Sequence, residues 1–170
     1  MVQQQTGAWL IRPATGADRP AIRRLFARHL AELGYAPDPA LDADMRELPG
    51  PYGRAPNTFL VATSPGGRIV GMAGLLGAEI RRVYVRAGWR NRGVARALVG
   101  QLAQRARDAG LKELRALLAK SNLPIRRVFL ACGFSATGRT PAWRAARHCE
   151  VLACRLRETA TPRSRNTPRH

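Results

Sequence analysis

The sequence predicts a mixed α/β (α+β) fold, a central sheet of about six to seven strands with helices on both faces. Three observations lead there. Short apolar segments of strand length interchange with longer segments of helical period. Three strand-like segments, "TFLVAT", "RIVGMAGLL" and "AEIRRVYV", follow one another without a helix, whereas later ones are separated by helices. Finally, a chain of 170 residues with 45% hydrophobic content has enough apolar surface for one core,.

The elements follow in order. "AWLIRPA" is a short strand ended by Pro13. "TGADRPAIRRLFARHLAEL" is a helix, with Asp18 as its cap, Pro20 in the first turn and Ile22, Leu25, Phe26 and Leu30 on one face,. "GYAPDPA" breaks it, "LDADMREL" forms a short acidic helix, and "PGPYGRAPN" stops that helix,. "TFLVAT" and "RIVGMAGLL", joined by "SPGG", read as an antiparallel hairpin,. After "AEIRRVYV", a helix runs from Gly93 to about Ala109, with Val94, Leu98, Leu102 and Ala106 on one face and Gly110 closing it,. "LKELRALLA" is taken as a strand, although its leucines also suit a helix. "NLPIRRVFLAC" is a helix with Pro124 near its start, and "GFSATGRT" and "CEVLACRL" are the closing strands. Residues 9–156 form a single domain on this reading, while 1–8 and the basic, proline-containing 157–170 have the composition of disordered ends,.

Net charge is +18, and arginine supplies nearly all of the positive charge. Such a balance suits anionic partners, and an arginine-biased composition explains part of it equally well. No apolar run approaches the roughly 20 residues of a membrane span. The start lacks the charged-then-apolar pattern of a signal segment, so a cytoplasmic location is expected,. Cys132, Cys149 and Cys154 lack metal spacing and are expected as buried thiols, with no metal site,.

"EIRRVYV" does not alternate cleanly. Ile80 and Val83 have opposite parity, so a regular strand would put them on opposite faces. One extra residue, a β-bulge, would bring Ile80, Val83 and Val85 to one face. The alternative is a strand buried on both faces, with Tyr84 on the second.

Directly after it, "WRNRGVARALV" gathers Arg90, Arg92 and Arg96 around Gly93, where strand gives way to helix. A helix start carries unpaired N–H groups and partial positive charge, which favours an anion. Gly93 and the small Ala95 leave the backbone approachable. Neither "GK[ST]" nor "GxGxxG" is present, so the turn is neither a Walker loop nor a dinucleotide fingerprint,.

The segment "RNRGVA", set between "EIRRVYV" and a helix, resembles the acetyl-CoA loop of the GNAT (Gcn5-related) N-acetyltransferases. The family pattern is Arg or Gln, two residues, Gly, one residue, then Gly or Ala, and Arg90, Gly93 and Ala95 fill it. "LIRPATGADRPAIRRLF" is similar to the family's first strand and helix, and "FLVAT…GRIVGMAGL" to its hairpin. "SNLPIRRVFLACGF" is similar to its later region. The resemblance implies the GNAT fold and acetyl-CoA as acyl donor. It places Val83, Tyr84 and Val85 against the pantetheine arm, and Arg90, Asn91, Arg92, Gly93, Val94, Ala95 and Arg96 around the pyrophosphate. It also gives a cofactor contact to Asn122, which can serve as a helix N-cap as well.

The chemistry implied is direct attack of an amine on the thioester. A base must take the amine proton, and a donor must meet the developing oxyanion. Glu79 stands where some members carry a catalytic Glu. Its alternative is an exposed strand residue paired with Arg81 or Arg82. The backbone N–H near Val83 is the implied oxyanion contact. Phe129 occupies the cofactor-facing position where many members have a Tyr that protonates the departing thiolate, so this chain lacks that acid.

The acceptor end would be built by the first two helices and their connection, "YAPDPALDADMREL". Asp38, Asp42, Asp44 and Glu47 are four of the chain's 11 acids. Local negative charge would attract an amine, the alternative being helix capping and first-turn dipole pairing by Asp42 and Asp44. Tyr35, Asp44 and Tyr52 are the candidate acceptor contacts. The acceptor itself stays open among a small amine, an amino acid, an aminoglycoside-like compound and a protein amine, and the arginine excess leaves a neutral or anionic acceptor open too. Rival readings are an acyl-CoA-binding sensor and a nucleic-acid-binding module. For the latter no RNP aromatics, zinc spacing or helix-turn-helix is found,. The expected partners are therefore acetyl-CoA and an amine, with no specific nucleic acid and no membrane, and a homodimer left open.

Overall fold

In the computed structural model, which describes residues 9–140 and 148–156, the strand-like segments become β1 (Leu10–Pro13), β2 (Thr58–Thr63), β3 (Ile69–Leu76), β4 (Glu79–Val85), β5 (Glu113–Ala119), β6 (Ser135–Ala136) and β7 (Cys149–Arg155). The helices are α1 (Arg19–Glu32), α2 (Ala43–Arg46), α3 (Val94–Asp108) and α4 (Leu123–Ala131). The proposed ends, 1–8 and 157–170, lie outside the described residues. One mixed sheet runs β1-β2-β3-β4-β5-β7-β6, with β4 and β5 the parallel neighbours.

Alternation settles β5 as a strand: Leu114, Ala116 and Leu118 are buried, while the residues between them are more open,. Two cores flank the sheet. Val94, Leu98, Leu102 and Ala106 of α3 and Phe129 of α4 join one core. Ile22, Leu25 and Phe26 of α1, with Met45, Leu48 and Tyr52 from the acidic connection, join the other.

The bulge expected in β4 is present. Arg81 pairs with Gly74 and Tyr84 with Met72, so Arg82 and Val83 together stand opposite Ala73. Arg82 takes a left-handed φ of 59°. The extra residue resets parity, so Ile80, Val83 and Val85 all pack on the α3 side while Tyr84 enters the α1 core,.

Some expectations are corrected. Asp18 makes no side-chain cap to α1. Its carboxylate instead accepts from Thr15 N–H at 2.8 Å and from the Arg12 guanidinium at 2.7 and 2.8 Å. Asp42 stands at the N-cap of α2 and Asp44 in its first turn, as dipole pairing requires, but no side-chain capping bond forms there,. The three cysteines are half-buried free thiols rather than buried ones, and burial pushes each thiol up.

The Arg12 hydrogen bond holds the Asp18 carboxyl down at about 2, against 3.8 ordinarily. Its folded value lies below the unfolded one. The stabilisation is therefore complete above the unfolded value and is lost as pH falls through the folded one. Because the Arg12 side chain is 34% exposed, the pair is screened, and Asp18→Asn is expected to cost about 1 kcal/mol near neutral pH. Urea midpoints of wild type and variant should converge between about pH 4 and about pH 2. A gap unchanged over that window would sink the assignment.

Candidate active site

Two neighbouring strands part company to open the site. β4 and β5 pair only at Glu79 with Arg115 and Ile80 with Ala116, and past the bulge they diverge. Arg86 N–H bonds Val70 O on β3 at 2.8 Å, whereas Val85 O accepts from Arg90 Nε, also at 2.8 Å, on the opposite side. Strand alternation then turns the N–H of Val85 and the N–H and C=O of Val83 toward the gap that β5 has left. These are main-chain groups open to an extended ligand.

At the end of β4 the chain makes a short 3-10 turn, Ala87–Trp89, and enters α3 through Asn91 and Gly93, both with positive φ, 59° and 78°. Gly93 is the N-cap of α3. The first bond across it is Ala97 N–H to Gly93 O at 3.0 Å, so the N–H groups of Val94, Ala95 and Arg96 have no helical acceptor,. Apart from its two chain neighbours, a Cβ on Gly93 would meet no atom within 4 Å. The space before these donors is therefore open to an anion.

From this turn a cleft of about 540 Å³ runs between α1 and the start of α4. Among the proposed contacts, Val83, Tyr84, Val85, Arg90, Asn91, Gly93, Val94, Ala95, Arg96 and Asn122 line it. Asn122 also caps α4, its Oδ1 accepting from Ile125 N–H at 3.5 Å.

Others lie elsewhere. Arg92 stacks over the Trp89 ring at 5.1 Å and is not on the wall. Phe129 is 2% exposed and meets Phe134 edge to face at 4.9 Å. Its C=O accepts the Phe134 N–H at 3.1 Å, while Gly133 N–H bonds Leu130 O, the Schellman closure of α4,. The "GF" pair is thus a helix cap, and it holds Phe129 in the core beneath the cleft rather than on its wall. Val128 and Ile125 form the wall there.

Glu79 also lies off the lining residues, with its carboxylate 3.6 Å from Arg81 Nε and its side chain 42% exposed. Asp44 and Tyr52 are buried and bonded to each other. Asp44 also accepts from Arg82 Nε at 3.1 Å, and Asp42 accepts from the same guanidinium at 2.8 Å. Burial would raise the Asp44 carboxyl, but the hydrogen bonds from Arg82 and Tyr52 outweigh it and hold it below the usual range. As acceptor contacts, Asp44 and Tyr52 are already committed to Arg82 and to each other. Tyr35 is 56% exposed and outside the cleft.

Two titratable cleft residues went unforeseen in the sequence, His29 and Glu32 on α1. Glu32 accepts from Tyr84 Oη at 2.8 Å and forms a salt bridge with Arg90. Its carboxyl is pushed up by burial and pulled down more strongly by those two donors. The His29 ring centroid lies 4.7 Å from that of Tyr84, and burial holds its imidazole below its usual value, so it is neutral at pH 7,. The only sequence signal was their i, i+3 spacing on one helix face.

The family model described as Acetyltransferase (GNAT) family matches residues 23–134. The chain belongs to the GNAT acetyltransferase family. Among curated proteins, it is similar to an aminoglycoside N(6')-acetyltransferase type 1 of Stenotrophomonas maltophilia, with 31% identity over 147 residues, 79% of this chain and 91% of the relative. In fold it is similar to a GNAT acetyltransferase of Staphylococcus aureus, with TM-score 0.77 and 14% identity over 88% of this chain and all of that one. It is similar too to a Salmonella typhimurium acetyltransferase solved with acetyl-CoA, with TM-score 0.66 and 23% identity, covering 92% and 98% of the two chains.

As a GNAT acetyltransferase the protein uses acetyl-CoA as acyl donor. The open Gly93 turn, with its unpaired N–H groups, fits a diphosphate, and the gap-facing main chain of Val83 and Val85 fits an amide-bearing arm,. Among the described residues no three His, Cys, Asp or Glu side chains gather as a metal site, and no helix is long and apolar enough to cross a membrane.

Proposed function

We propose that this acetyltransferase moves the acetyl group of acetyl-CoA to a primary amine of a small molecule, with aminoglycosides the first class to try. The observation that carries the reading is the open cleft joining the Gly93 turn to α1, beside the parted strands β4 and β5. The choice of acceptor class is supported by the 31% identity to the aminoglycoside-modifying relative.

In the reaction the amine nitrogen attacks the thioester carbonyl carbon. A C–N bond forms, the C–S bond breaks, CoA leaves as thiolate and the amine gives up a proton. Val83 N–H is the group we assign to the carbonyl oxygen as charge develops. Two residues are candidates for the proton: Glu79 on the same strand through water, and His29 on the cleft wall. The geometry favours His29, because it is neutral and faces the cleft while Glu79 is engaged by Arg81,. With Phe129 in the core, the thiolate departs without a tyrosine acid at that position, and a thiol of ordinary pKa near 8.5 is a tolerable leaving group.

The test is thiol release from acetyl-CoA with kanamycin A, spermidine, lysine methyl ester and an alanyl peptide. We expect acetyl-CoA to raise the melting temperature, and kanamycin A to give the highest kcat/KM. Preferred turnover of the peptide would replace the small-molecule reading with a protein N-acetyltransferase. Stabilisation by acetyl-CoA with no thiol release from any amine would point to a sensor.

A further inference from the structure

Resting on the acetyltransferase reading above, we propose that Glu32 is the residue that binds the ammonium end of the acceptor and holds it beside the acyl donor. Of the described residues lining the cleft, Glu32 alone carries a carboxylate, against Arg90 and Arg96 on the other walls. An alkyl amine arrives mostly protonated and needs a counter-charge in such surroundings.

Position argues the same way. Glu32 is the last residue of α1, where the helix dipole already places partial negative charge,. A carboxylate there is poorly placed for helix stability and well placed for a cation. One of its oxygens is fixed by Tyr84 Oη at 2.8 Å. Tyr84 lies on β4 next to Val83, so the carboxylate is tied by one side chain to the strand whose main chain faces the gap.

The other oxygen is occupied by Arg90. That arginine belongs to the turn before α3, and its Nε is held by Val85 O. A diphosphate at the turn competes for the same guanidinium. Once Arg90 turns to the phosphate, Glu32 keeps only the Tyr84 bond and has an oxygen free for an ammonium. Donor binding therefore unmasks the acceptor site, and by linkage each ligand strengthens the other.

Glu32→Gln tests this, since the amide keeps the shape and can still accept from Tyr84. Kinetics with acetyl-CoA and kanamycin A should show the acceptor KM raised at least about tenfold, with kcat within about threefold and the acetyl-CoA KM not raised. Tyr84→Phe should raise the acceptor KM less, and should add nothing in the Glu32→Gln background. Calorimetry of kanamycin A with wild type should show tighter binding when CoA is present, an enhancement absent from Glu32→Gln. An unchanged acceptor KM in Glu32→Gln, or a fall in kcat alone, overturns the binding role while acetyl transfer by wild type stands. Wild type that binds CoA but neither binds nor acetylates any amine of the panel removes the small-amine reading and this assignment together.

Discussion

Gly93→Val is expected to abolish the thermal stabilisation by acetyl-CoA, with affinity down at least about a hundredfold, or roughly 3 kcal/mol, while the protein still folds. Two effects are separable at this position. The first is backbone strain: Gly93 holds φ of 78°, and a β-branched residue there costs about 1–2 kcal/mol of stability,. The second is occupation of space. Apart from its chain neighbours, a Cβ finds no atom within 4 Å, so the added methyls enter the open space at the start of α3, where the N–H groups of Val94, Ala95 and Arg96 are unpaired, rather than the core. Strain alone would lower the melting temperature and leave the acetyl-CoA shift intact. Gly93→Ala, with the same φ penalty and a smaller side chain, should lose stability similarly and affinity less. If both variants keep the wild-type response to acetyl-CoA, the turn is not where the donor's phosphates sit.

How far the sequence alone leads depends on the range of the interaction. The order of strands and helices was legible because periodicity is local, and so was the bulge, because the parity conflict between Ile80 and Val83 lies within one strand,. Gly93 was legible from its place between strand and helix. The Arg82 network was not: its partners Asp42 and Asp44 lie 40 and 38 residues away, and acids at a helix start read equally well as caps,. His29 and Glu32 escaped for a similar reason. On a basic helix they look like solvated residues, and only the packing of α1 over β4 turns them toward the cleft. Phe129 shows the converse. Its place in the family pattern marked it as a cofactor contact, but its ring packs on Phe134 and faces the core.

Asp44→Ala should be the most destabilising of the substitutions considered, by about 3 kcal/mol or more. The carboxylate is buried and serves three groups: Arg82, Tyr52 and, at 3.9 Å, Arg81. Removing it leaves a buried tyrosine hydroxyl without its acceptor and Arg82 with only Asp42 and Leu41 O. Unpaired buried groups of this kind cost more than the pair itself contributes. The consequence reaches the site, because Arg82 is the bulge residue with positive φ and its neighbour is Val83. The acidic connection therefore clamps the bulge through the arginine side chain, and the bulge aims the main chain into the cleft. Asp44→Asn keeps the shape and one acceptor oxygen, although its NH2 then faces donors of Arg82 or Tyr52,. It should lose less stability and retain more acetyl-CoA binding than Asp44→Ala. The pH dependence has a fixed sign. Hydrogen bonds from Arg82 and Tyr52 overcome burial and hold the Asp44 carboxyl below 3.8. Its stabilisation is thus present above that value and lost as pH falls through the lower folded one. The wild type's advantage over Asp44→Ala, read from urea midpoints, should be flat from about pH 8 to about pH 5 and shrink below about pH 4. A wild-type advantage that persisted undiminished into that acidic range would mean the aspartate acts through shape rather than charge, and the clamp on Arg82 would lose its basis.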